Sequence, residues 1–92
     1  MGRNRDFEKQ PAQDYEKRDF LLYGIEKAKD VRSVADYVFA GINHIINPQF
    51  PEYQEQVQKA AIERIQDLLN ISDYTEAEKK LLQAIAEVSK KV

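Results

Sequence analysis

From Asp14 onward the large apolar residues recur three and four positions apart, the spacing of one face of an α-helix. The first such segment predicts a helix over residues 14–29, presenting Phe20, Leu21, Leu22, Ile25 and Ala28, with Asp14 and Arg18 paired on its outer side. Gly24 weakens it slightly. The second, over residues 31–47, carries the strongest pattern: Val31, Val34, Ala35, Val38, Phe39, Ile42, Ile45 and Ile46 form a wide stripe that marks a central, buried helix.

Apolar spacing can be followed almost unbroken from Leu21 to Ile46, so the first two helices could be one, leaving three helices and an extended dimer. Asp30 or Ser33 can cap a new start, and a break near Asp30 is the expected outcome. Asn47-Pro48 closes the second helix, because proline disfavours helical geometry in the residue before it. Pro51 suits the first turn of a third helix over 51–69, which buries Val57, Ala60 or Ala61, Ile65 and Leu68, widened by Ile62 and Leu69. A last helix, over 75–90, turns Leu81, Leu82, Ile85 and Val88 inward. Thr75 and Glu78 read there as a capping box. Short connections make sequence neighbours pack together, which predicts an all-α, four-helix bundle-like domain over residues 14–92. Residues 1–13, with Phe7 as their one large apolar residue besides Met1, predict a flexible N-terminal arm.

Ninety-two residues allow one domain with a modest core. Fourteen bases against sixteen acids give a net charge of -2, which supplies no general attraction to phosphate or anionic lipid. Cysteine is absent, which removes disulfides, thiol nucleophiles and thiolate metal sites. The start of the chain has no apolar signal core, and no stretch approaches the ~20 apolar residues of a membrane span, so the expectation is a cytoplasmic protein without a membrane partner.

The chain holds little that could do chemistry. His44 is the one histidine and has no second histidine or carboxylate three or four residues away, so it reads as a boundary residue near a helix C-terminus. The three glycines are isolated, which excludes a phosphate-cradling loop, and Gly41 is better placed to let another helix approach. Paired acids at helix starts stabilise the helix dipole and need no catalytic explanation. The expectation is no enzyme, no metal and no cofactor.

Residues 61–82 are similar to a bacterial helix-turn-helix: an apolar helix end at Leu68-Leu69, a turn at Asn70-Ile71-Ser72, and Thr75 opening a second helix. Gln66 stands where the first helix of that motif usually has a small residue, and Glu76 where the second needs an apolar one. Between Glu63 and Glu78 five acids face one base, Arg64, which opposes a phosphate backbone. Nucleic acid is therefore the disfavoured alternative partner, through a degenerate helix-turn-helix.

Ile71-Ser72-Asp73-Tyr74-Thr75-Glu76-Ala77-Glu78 also resembles the segment that opens the first helix of the immunity proteins of DNase-type colicins. That resemblance covers eight residues near the C-terminus, and the family's nuclease-binding tyrosine pair is missing, so no functional residue carries over. It implies only a class: a small acidic-faced helical protein that binds a basic partner.

The resulting expectation is a protein–protein interaction module, a regulator, adaptor or inhibitor. Its candidate contact residues are Glu63, Asp67, Asp73, Glu76 and Glu78 with Tyr23, Tyr37, Phe50, Tyr53 and Tyr74. Tyrosine suits an interface because it buries much area and ends in a polar group, although each could equally be a boundary core residue. A structural homodimer, supported on the wide stripe of the second helix, is a further alternative.

Overall fold

The computed structural model describes residues 13–90, and within them the protein is all-α, with no strand. Four α-helices follow in order: α1 (Asp14–Lys27), α2 (Val31–Ala40), α3 (Pro51–Leu69) and α4 (Tyr74–Lys90). A π-helical turn, Gly41–Ile45, continues α2. The arm proposed for residues 1–13 lies outside the described residues except for Gln13. α2 and α3 touch each other and both outer helices, whereas α1 and α4 do not meet.

The chain does break between the first two helices, and Asp30 is the reason. Its carboxylate accepts the Ser33 backbone N–H at 2.7 Å, which satisfies one of the donors left open at a helix start. That N–H bond, and then the Ser33 hydroxyl, hold the Asp30 carboxyl below its ordinary value of 3.8; slight desolvation opposes them and the Arg32 charge adds to them. A folded-state value below the unfolded one stabilises the protein fully above pH 3.8, and that stabilisation is lost as pH falls from there through the lower folded-state value. Asp30→Asn keeps a capping oxygen without a charge. Melting curves recorded from neutral to acid pH are therefore expected to show the wild type losing stability below about pH 4 faster than the variant.

α2 is shorter than its apolar pattern predicts, ending at Ala40 instead of Asn47. The Gly41 N–H is shared between the Tyr37 and Val38 carbonyls, and the Ile46 N–H reaches back five residues to the Gly41 carbonyl at 2.8 Å. The helix thus widens by one residue per turn before Pro48 stops it. The Asn43 side-chain amide donates to the Phe39 carbonyl at 2.9 Å. Asn47 then caps the turn beyond, its side chain accepting the Gln49 N–H, and Pro51 opens α3 as expected.

The α3–α4 connection is a tight hairpin. Asn70 takes the left-handed conformation (φ 56°, ψ 47°), which asparagine tolerates better than most residues, and the Gln66 carbonyl accepts from both Asn70 and Ile71. The Gln66 side-chain amide donates to the Ser72 carbonyl at 2.9 Å, so the residue that departs from a helix-turn-helix pattern instead ties this turn together. α4 starts one residue earlier than predicted. Its cap is Asp73, whose carboxylate accepts the Glu76 N–H at 3.1 Å, and not Thr75, which already lies inside the first turn.

The core is aliphatic: Leu21, Ile25, Val34, Val38, Ile46, Val57, Ala61, Ile62, Ile65, Ala77 and Leu81 form one cluster. The inward faces of α2 and α3 are largely as the spacing predicts. Phe20 and Leu82, expected inside, are instead 60% and 57% exposed, and Leu69 lies at the surface. Gly41 permits a close approach, since a Cβ there would stand 2.6 Å from Leu21 Cδ1. Gly24 does the same for α2, because its own Cβ would fall on the Tyr37 ring. Of the α2 stripe, Val34, Ala35 and Val38 are fully buried in this core and Ile46 is buried with them, whereas Val31, Phe39, Ile42 and Ile45 are half-buried.

Candidate functional site

Aromatic side chains are the largest apolar payload a small core can use, yet none of the eight between residues 13 and 90 is buried. Six of them, all but Phe39 and Tyr74, lie on α1 or are linked to it through direct contacts. Phe20 meets Tyr37 edge to face with ring centroids 6.3 Å apart. Arg18 lies over the Tyr53 ring at 4.8 Å, and Tyr53 stacks on Phe50 at 5.0 Å. Arg18 also bonds Asp19 and, across to α3, Gln56. The Asp14–Arg18 pair expected on the outer side is not formed, because the guanidinium turns inward to this aromatic stack.

Between α1 and α3 lies a cleft of about 400 Å³, lined by Leu22, Tyr23, Ile25 and Glu26 from one helix and Ala60, Glu63, Arg64 and Asp67 from the other. Residues 22, 23, 25 and 26 span one turn of α1. Residues 60, 63, 64 and 67 repeat on α3 at intervals of three, one and three, so the two helices face each other along one seam. The apolar part is Leu22, Ile25 and Ala60, and the rim carries Tyr23 and three carboxylates. Ile25 is buried, Leu22 and Ala60 half-buried, and Glu26, Glu63 and Asp67 exposed.

The one base in the cleft is already engaged. Arg64 Nε and Nη2 both donate to the Ala28 carbonyl, at 3.0 and 2.7 Å, closing the C-terminus of α1, where a positive charge is favoured by the helix dipole. No base among the described residues forms an ion pair with Glu26, Glu63 or Asp67. Lys27 does not line the cleft, although its ammonium lies 5.7 Å from the centre of the Tyr23 ring at the rim. The cleft is therefore apolar at its base and negative at its rim.

Of the residues singled out from sequence, the structure gathers Tyr23, Glu63 and Asp67 here, and adds Glu26, Leu22 and Ile25, which the sequence reading did not select. Phe50 and Tyr53 form their stack beside Arg18, and Tyr37 packs on Phe20. Asp73, Tyr74, Glu76 and Glu78 stand exposed at the start of α4 and line no part of the cleft. Asp73 has a structural duty as the α4 cap. His44 is exposed in the π turn against Phe39, and among the described residues no group of three metal-ligating side chains exists.

Among the described residues no helix is long and apolar enough to cross a membrane. No family model, curated protein or solved structure matches the chain.

Proposed function

We propose that the protein is a non-catalytic interaction module, a cytoplasmic regulator, adaptor or inhibitor, whose α1–α3 cleft receives a basic and partly apolar segment of a partner protein. The observation that carries this reading is the composition of the cleft: apolar base, tyrosine edge, three carboxylates that pair with no base among the described residues, and an arginine committed to a backbone carbonyl. Its volume of about 400 Å³ suits one or two side chains of a docked helix or strand. Lysine or arginine stems would cover Leu22 and Ala60 while their charged ends reach Glu26, Glu63 and Asp67. Charged rims of this kind speed association and set partner choice more than they add affinity.

A fluorescently labelled amphipathic Leu/Lys peptide is a suitable probe. Its affinity is expected to fall by about tenfold or more in the Glu63→Lys/Asp67→Lys variant, and to weaken with salt in the wild type. Glu76→Lys/Glu78→Lys, away from the cleft, should leave binding unchanged. Equal binding by the cleft variant and the wild type would remove the proposal. Binding of duplex DNA at low salt, lost when Lys79 and Lys80 are neutralised, would restore the nucleic-acid alternative in its place.

A further inference from the structure

Glu16, Phe20, Tyr23 and Lys27 follow one another along α1 at spacings of four, three and four, which places them in one stripe about 60° wide. This is the seam spacing of a coiled coil. Here it faces outward: Phe20 is 60% and Tyr23 64% exposed, and Glu16 and Lys27 are exposed at the two ends. α1 thus has two apolar sides, one spent on Leu21 and Ile25 in the core and one mostly open. On the open side Phe20 touches only the edge of Tyr37, Lys27 lies by the Tyr23 ring, and one Glu16 oxygen accepts the Gln13 N–H at 2.8 Å while the other stays free among the described residues. The second side belongs to neither the core nor, Tyr23 apart, the cleft.

The order of residues along the stripe says what fits it. Read backwards, acid–aromatic–aromatic–base becomes base–aromatic–aromatic–acid, so the stripe is its own complement when two copies lie antiparallel. We propose that α1 pairs with α1 of a second copy about a two-fold axis between Phe20 and Tyr23. Each Phe20 then packs on the other copy's Tyr23, and each Glu16 meets the other copy's Lys27, so that the two-fold makes both contacts twice. Asp19, on the flank of the stripe, is held by its own Arg18 at 2.9 Å and does not oppose the approach. A helix of 14 residues, about 21 Å long, cannot bury the roughly 800 Å² per partner of a permanent dimer, so the association is a weak, reversible one.

Sedimentation of the intact chain tests this. The wild type is expected to populate a dimer at about 100 μM, the transient range for a small interface. Lys27→Glu places acid against acid and Glu16→Lys base against base, and each variant alone should associate about tenfold more weakly or worse. Mixed in equal amounts they should form a mixed dimer of wild-type strength, because each supplies the charge the other lacks. Phe20→Ser should abolish association with its helical circular dichroism unchanged, since the side chain is mostly exposed. Glu63→Lys should leave sedimentation as it was, which separates this surface from the cleft. A wild type that stays monomeric to several hundred micromolar, single variants that associate like the wild type, or a mixture that does not associate would each overturn the pairing.

Discussion

Gly41→Ala should destabilise the protein by about 1–2 kcal/mol, yet stabilise it by up to about 1 kcal/mol once Leu21 is also alanine. Gly41 sits in ordinary right-handed helical geometry (φ -61°, ψ -49°), where alanine is the better helix former, so propensity alone favours the change. Packing opposes it, because the added methyl would stand 2.6 Å from Leu21 Cδ1 and 3.3 Å from Cδ2. Leu21 is fully buried, so its methyls can yield only by pressing on other core side chains. Leu21→Ala alone should cost about 2–5 kcal/mol, a large part of the total for a domain of this size, and leaves the space that the Gly41 methyl then fills. Denaturant titrations of the two single variants and the double variant measure the coupling directly. Simple additivity would mean that α1 and the π turn are farther apart than described. Gly24→Ala should be costly in the same way, because the added methyl would meet three atoms of the Tyr37 ring, which packs on the core and on Phe20.

Arg64→Met should lower stability by about 1.5–3 kcal/mol, the usual range for losing hydrogen bonds to a charged group. Methionine replaces the half-buried stem, which isolates the loss to the two bonds on the Ala28 carbonyl. Arg64→Lys should recover little of it, since an ammonium cannot place two donors on one oxygen as the guanidinium fork does. Amide hydrogen exchange is expected to quicken at the C-terminal turn of α1 and through Lys29 and Asp30, with α4 unaffected, because α1 and α4 do not touch. Uniform quickening in all four helices would show that Arg64 supports the whole core instead of one helix end.

Much of this architecture was legible in local chemistry. Pro51, the Asn47-Pro48 pair and Asp30 act within one turn of the backbone, so a sequence reading finds them. Thr75 and Asp73 each have a glutamate three residues on, Glu78 and Glu76, and the same capping rule fits both; the structure takes the earlier, carboxylate cap. Periodicity places Phe20 in the core because it gives the angle between residues but not which side faces inward. On α1, where Phe20, Leu21, Leu22 and Tyr23 run consecutively around the helix, that ambiguity is complete. The π turn left no signal in the apolar pattern, since it shifts hydrogen bonds rather than residue types.

The cleft was half legible. Glu63, Asp67 and Tyr23 attracted notice as acids and as a tyrosine, but Glu26 becomes relevant only when α1 lies against α3. That pairing is a matter of tertiary packing, fixed in part by Arg64 reaching Ala28, thirty-six residues away in sequence. Nearness in sequence groups the acids at 73, 76 and 78 with Glu63 and Asp67. The hairpin at Asn70 instead leaves them at the start of α4.

A core without aromatic rings among the described residues also divides what light can see in this molecule. There is no tryptophan, and the five tyrosines all lie at the surface or half-buried near it, so ultraviolet emission reports the outer shell while the peptide dichroism reports the helices. Tyr23, at the rim of the cleft and on the outward stripe of α1, makes the native chain its own label-free indicator of docking. Heating such a chain should shift the peptide signal strongly and the tyrosine signal little, whereas adding a partner should do the reverse.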